Sequence, residues 1–253
     1  MLSVSTSILL RIGQSALLIG ATGATGKYLL KELLSSPHFT RVGEYGRRVT
    51  PLDQITSGKE KLEQKTVNFE KLEDAGLNAG KWDVVFITLG TTRNAAGSAA
   101  AFEKIDREYV VSAAHAAKTD SSNYPQRLVY LSSAGSNASS HFLYTRSKGM
   151  TELALADAGY NDTIIFRPAF LRDAERPESS ALATVASHFV SALSHLSLNI
   201  GIPVSDLAKS MRIAGELGSS ALPPAAEASK EGNDTPFTVI NTRGAVALAK
   251  MDT

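Results

Sequence analysis

The chain contains no cysteine. Disulfides, thiolate nucleophiles and cysteine-ligated metals are therefore excluded. Charge of one sign is also missing: 26 basic against 25 acidic residues leave a net charge of +1. No strong field draws such a chain to nucleic acid or to an anionic membrane surface. No apolar run approaches the length that crosses a bilayer. The five histidines, His38, His115, His141, His188 and His195, show no His-x-x-x-His or similar ligand spacing, so no metal site is expected. No Gly-Lys-Ser/Thr follows the glycines near the start, where Lys27 is followed by Tyr28, which disfavours a mononucleotide phosphate loop.

What is present is a chain of 253 residues with 43% hydrophobic composition, enough for one large domain or a domain with a small lobe. Short apolar runs alternate with helical patterns. Strands are expected at 15–19, 41–45, 65–69, 83–89, 127–132, 163–167 and 237–240. Helices are expected at 25–34, 102–117, 144–158, 184–196, 204–217 and 244–250. Strands apolar on both faces, alternating with helices, predict an α/β fold: a Rossmann-type, doubly wound parallel sheet covered on both sides. After Pro168 the pattern loosens, and 218–236 reads as a polar, proline-containing loop. The expected organisation is a nucleotide-binding domain over 15–170 and a small, irregular C-terminal lobe over 171–253, packed on the same domain as a substrate or partner surface. Residues 1–14 are serine-rich and lack acids. They read as a frayed terminus leading into the first strand, with a targeting or membrane-touching segment as the alternative.

Gly20, Gly23 and Gly26 stand between the first strand and the first helix, with Thr22, Ala24 and Thr25 among them. The first glycine permits the tight turn, the second lets the backbone approach a pyrophosphate, and the third lets helix and strand pack closely. The helix N-terminus then offers amide hydrogens and partial positive charge to the phosphates. The second strand runs into Arg47 and Arg48, whose guanidinium groups suit a 2′-phosphate and favour NADP(H) over NAD(H). Glu44 is an acid nearby whose direction strand alternation leaves open. Leu89, Gly90 and Thr91 follow the fourth strand, where such a sheet opens its crevice. Arg93 reads equally as a ligand or as a plain loop residue.

Tyr144 and Lys148 share one helical face. A nearby ammonium favours the phenolate and makes tyrosine a better acid-base group. Lys148 can also bond the nicotinamide ribose. Ser132 and Ser133 end the fifth strand, and a hydroxyl there can hold a substrate oxygen toward Tyr144. Arg167 and Pro168 end the sixth strand and turn the chain toward the crevice. Together these groups predict reduction of a small carbonyl-type substrate, with Tyr144 as proton donor. The alternative is a regulatory or scaffold protein whose bound NADPH controls a partner.

The words GATGATG at 20–26, GRR at 46–48, LGTTR at 89–93, Asp106-Arg107-x-Tyr109-Val110, LSS at 131–133, FLYTRSKG at 142–149 and FRPAFL at 166–171 resemble the short-chain dehydrogenase/reductase superfamily, in its atypical branch. The resemblance covers roughly two thirds of the chain, residues 16–171. It implies an NADPH-binding Rossmann domain in which Tyr144 is the proton donor, Lys148 its partner and Ser132 or Ser133 the serine. The family's helical asparagine is not evident; Asp106 occupies the comparable helix. Fungal members imply a peripheral place on the mitochondrial outer membrane, with the cytoplasm as the alternative. The reading leaves room for a protein partner or a homodimer.

Overall fold

The protein is described by a computed structural model over residues 13–119, 121, 123–173 and 201–251. The expected segment 1–14 lies almost wholly outside the described residues, and the expected helix 184–196 lies wholly outside them. Strands β1 (Gln14–Ile19), β2 (Phe39–Gly46), β3 (Leu62–Thr66), β4 (Val84–Ile87), β5 (Arg127–Leu131) and β6 (Asp162–Arg167) form a parallel sheet. β7 (Phe170–Arg172) and β8 (Gly201–Pro203) pair with each other in a separate small ladder. β9 (Ser229–Glu231) and β10 (Phe237–Asn241) return to the main sheet, whose order is β3-β2-β1-β4-β5-β6-β10-β9. Only β9 runs antiparallel. The chain winds outward from β1 to β3, then restarts beside β1 with β4. That reversal opens a crevice at the carboxyl ends of β1 and β4.

The helices are α1 (Gly26–Ser35), α2 (Arg93–Ala96), α3 (Ala99–Glu103), α4 (Tyr109–Ala117), α5 (Leu143–Ala156), α6 (Val204–Leu217) and α7 (Thr242–Ala249). Successive strand residues face opposite layers. Ala16 and Leu18 pack with Leu29, Leu30, Leu33 and Leu34 of α1, with Leu207 and Met211 of α6, and with Leu248 of α7. Leu17 and Ile19 pack in the other layer, with Val110 and Ala114 of α4, Leu155 of α5, and Trp82. Each fully buried leucine or isoleucine contributes roughly 1.5–3 kcal/mol, so the two layers together anchor the sheet. The C-terminal residues thus complete the same body: β10 pairs with β6, and α6 and α7 cover one face.

Three expectations shift. The third strand lies at 62–66 instead of 65–69, because β3 is an edge strand with little burial. The apolar Val67 and Phe69 that suggested it lie just beyond, in or against the core. The segment 218–236 is not a plain loop, since it holds β9. All three β9 residues are exposed, so no apolar pattern marks them. The expected helix 102–117 begins earlier, where Ser98 accepts a bond from the Ala101 amide, and a π-helical turn at Lys104–Glu108 interrupts it.

Candidate active site

The glycine run makes the tight junction between β1 and α1. Gly20 has φ +97°, a conformation that disfavours a side chain. A Cβ there would lie 2.7 Å from the Leu89 amide nitrogen, and one on Gly26 would lie 2.0 Å from the Gly20 carbonyl oxygen. The loops after β1 and β4 therefore touch, bringing Gly20 and Leu89 to one crevice wall. Thr25 is buried, and Thr22 is exposed at the loop tip. No side chain caps α1, and its first turn holds no acid. An uncapped helix start with a close-packed glycine turn fits a pyrophosphate.

Beyond β2 the charges separate. Glu44 is fully buried. Its carboxylate accepts from the Thr50 amide and hydroxyl, both at 2.7 Å, and from Gln64 Nε2 at 2.7 Å. That acid braces the loop after β2 and is not presented to a ribose. Arg47 and Arg48 are exposed. Arg47 borders a cavity of about 640 Å³ lined also by Val67, Phe69, Lys104, Ile105 and Tyr109. The Phe69 and Tyr109 rings stand 5.3 Å apart in that lining. Aromatic walls with a cationic rim suit a purine carrying an extra phosphate.

At the crevice floor lies Lys148, on α5 and almost fully buried. Its ammonium is 3.0 Å from Asp106 Oδ1 and donates to the Tyr130 hydroxyl at 3.0 Å. Burial works against its charge, but the Tyr130 oxygen and the Asp106 carboxylate overcome this and hold its pKa well above the usual lysine value. Burial pushes the Tyr130 phenol up, against the pull of Lys148. Tyr144, one turn before Lys148, is 41% exposed, and its ring packs 6.0 Å from that of Phe102. Its spacing of four residues puts it on the same face of α5 as Lys148. Among the described residues its hydroxyl makes no hydrogen bond, so it is free to meet a substrate.

The two serines part company. Ser132 is buried, donates to Glu152 and lies 3.0 Å from the Ser136 hydroxyl. Ser133 is half-buried, and its hydroxyl makes only a long 3.4 Å contact to the Ala134 carbonyl. Their loop is pressed against α5 at Gly149, where a Cβ would lie 2.2 Å from the Ala138 amide nitrogen. The Asn137 amide also donates to the Thr145 carbonyl at 2.9 Å.

Arg167 does not present its side chain to a cofactor. Nε and Nη2 bond Glu152 at 3.0 and 2.6 Å, and Nη1 and Nη2 bond Glu231 of β9 at 2.9 Å each. The sequence places Arg167 among the cofactor-binding residues at the strand end; its guanidinium is taken up as a brace by two remote carboxylates. Pro168 is buried, and its carbonyl accepts from the Ala134 amide at 3.0 Å, tying the loops after β5 and β6 together. Gly90 and Thr91 lie over the lysine: the Thr91 amide donates to Asp106 Oδ1 at 3.3 Å. The sequence reading missed Tyr130, Glu152 and the structural use of Gly149. Gly149 lies inside the quoted words and Tyr130 in the expected strand 127–132, whereas Glu152 carries no local signal.

Comparison with known proteins agrees with this geometry. A family described as NAD(P)H-binding matches residues 20–194. Protein HTATIP2 of Rattus norvegicus is 36% identical over 71% of this chain and 72% of its own length. Protein FMP52-1, mitochondrial, of Scheffersomyces stipitis is 34% identical over 93% of this chain and 99% of its own. Among solved structures, the short-chain dehydrogenase/reductase YIR035C of Saccharomyces cerevisiae superposes with TM-score 0.60 at 16% identity, covering 91% of this chain and 96% of that one. The Bordetella bronchiseptica enzyme WbmF, in complex with NAD+, does so with TM-score 0.60 at 15% identity, covering 95% and 77%. The chain belongs to the NAD(P)H-binding family, as a relative of HTATIP2 and the mitochondrial FMP52 proteins with a short-chain dehydrogenase/reductase fold.

Proposed function

We propose that this protein is an NADPH-dependent oxidoreductase that reduces a carbonyl group on a small substrate. The observation that carries the reading is a buried Lys148, 3.0 Å from Asp106 and one helical turn from Tyr144, whose hydroxyl makes no hydrogen bond among the described residues. The residues fit a dinucleotide: the Gly20–Gly26 turn for the pyrophosphate, Arg47 and Arg48 for a 2′-phosphate, and Lys148 for ribose hydroxyls. When bound, the nicotinamide supplies a hydride. Tyr144 donates its hydroxyl proton to the substrate oxygen as negative charge develops there. Lys148 stabilises the tyrosine left behind, because a positive charge nearby favours the phenolate. Ser133 donates a hydrogen bond to the same oxygen and orients it, which contributes to stabilising the developing oxyanion. Ser132 holds the loop from behind through Glu152.

The sequestration of Glu44 and the exposure of both arginines support NADPH over NADH. Fluorescence titration with each cofactor tests that preference, and a panel of aldehydes, ketones and quinones then tests turnover. Tight NADPH binding with no oxidation across the panel would instead favour a regulatory protein that senses the cofactor. For location, the names of the fungal relatives support a mitochondrial place. No helix among the described residues is long and apolar enough to cross a membrane. The outer-membrane, peripheral place implied by the sequence resemblance is the proposal to test. Carbonate extraction of isolated mitochondria should release it, and retention in the membrane pellet would refute peripheral attachment.

A further inference from the structure

We infer that Asp106 is a positioning residue of this site: its carboxylate fixes the Lys148 ammonium at the crevice floor and keeps it charged. The inference rests on the reading of Lys148 as the group that serves Tyr144 and the cofactor. Asp106 is fully buried and lies in the π-helical turn between α3 and α4. Such turns widen a helix locally and often occur at functional sites. Oδ1 receives the Lys148 ammonium at 3.0 Å and the Thr91 amide at 3.3 Å. Oδ2 is buried and has no donor. Among the described residues the carboxylate therefore has two donors, and Lys148 is the charged one.

The groups facing Lys148 can be compared one by one. From β5 comes the Tyr130 hydroxyl, at 3.0 Å. Burial raises the pKa of that phenol, so it stays neutral at physiological pH and supplies a dipole, not a counter-charge. From α5 itself comes Tyr144, which is exposed. The one carboxylate of α5, Glu152, is held by Arg167. Asp106 is thus the one carboxylate in ion-pair contact with Lys148 among the described residues. A buried ammonium without a counter-charge is driven toward the neutral amine. A neutral lysine would no longer stabilise a phenolate. The pair also lies directly beneath Gly90: a Cβ on that glycine would be 3.2 Å from Asp106 Oδ1 and 3.6 Å from Lys148 Nζ. Asp106 therefore ties the loop after β4, which borders the crevice, to the lysine of α5.

The test is a titration of the full chain carrying 13Cε-labelled lysine, followed by NMR to about pH 11, with the fold monitored by circular dichroism. Lys148→Met serves only to assign the resonance. In the wild type, Lys148 should remain protonated beyond the midpoint of the other lysines. In Asp106→Asn its midpoint should fall by at least about one unit, a tenfold loss of proton affinity, and Asp106→Glu should restore much of it. An unchanged midpoint in folded Asp106→Asn overturns the inference. So does a wild-type midpoint below that of ordinary lysines, which is decisive even if the asparagine variant does not fold. The titration needs no substrate, whereas the proposed reaction is tested by the turnover of Tyr144→Phe, so either can fail without the other.

Discussion

Lys148 and Arg167 are both largely buried cations near the crevice, and they hold their carboxylates in opposite ways. Arg167 is saturated: Glu152 and Glu231 each take two of its contacts, and Ser132 joins from behind. Every polar atom in that cluster faces another, which suits a brace. The Lys148 cluster is left partly open. Among the described residues Asp106 Oδ2 has no donor and the exposed Tyr144 hydroxyl has no hydrogen-bond partner. Among the described residues one cluster is closed on itself, while the other presents a hydroxyl to the crevice. Unmet polar valence, more than charge or burial, distinguishes the reactive cluster from the structural one.

The sharpest way to break this contrast is to remove the open hydroxyl. Tyr144→Phe should lower turnover by about 10²–10⁴-fold, the usual contribution of a positioned general acid. NADPH affinity should change little, since the substitution keeps the ring that packs against Phe102 and removes only the hydroxyl. Turnover near the wild-type rate would move the proton donor elsewhere. The saturated cluster should respond in the other currency, stability. Arg167→Met leaves Glu152 buried and unpaired, which costs about 3–5 kcal/mol of folding stability. Denaturant unfolding should show that loss, while the protein that remains folded keeps its NADPH preference. A fully stable Arg167→Met protein would mean that the brace carries no weight.

Selectivity should respond less strongly. Arg47→Ala combined with Arg48→Ala removes charge-assisted bonds worth about 1.5–3 kcal/mol each where they form. Solvent around these exposed side chains reduces the pair to roughly the worth of one such bond, so NADPH binding should weaken roughly ten- to a hundredfold, and NADH binding hardly at all. Equal losses for both cofactors would mean that these exposed arginines serve the common pyrophosphate, and the comparison of rim with floor would have to be redrawn.

The parts of this arrangement that the sequence disclosed are those with local signatures. β1 and β4 are apolar on both faces because both layers bury them, and that run of side chains is visible without coordinates. The glycine turn is legible because backbone contact between Gly20 and Gly26 admits no side chain. Tyr144 and Lys148 are legible because helical spacing puts them on one face. What stayed hidden is nonlocal. Arg167, the last residue of β6, reads as a crevice residue from its place in the chain, because Glu152 and Glu231 reach it from distant segments that the sequence does not bring together. The π-helical turn that buries Asp106 has no residue pattern of its own. β9 shows only polar side chains, because an edge strand held by backbone bonds needs no apolar face.

The smallest expected effect separates the two serines, which the sequence alone could not rank. Ser132 belongs to the saturated cluster through its bond to Glu152, while Ser133 keeps a nearly free hydroxyl on the same loop. Ser132→Ala removes one donor to a carboxylate that Arg167 still holds. It should cost about 1 kcal/mol of stability, the scale of a single net hydrogen bond, and change turnover only severalfold. Ser133→Ala should leave the unfolding midpoint almost unmoved and lower turnover by more than its neighbour does. Unfolding curves and initial rates measured on the two variants side by side decide the point. If Ser132→Ala is the variant that loses more turnover, the substrate-facing hydroxyl lies in the cluster identified here as closed, and saturation would not mark the structural half of the site.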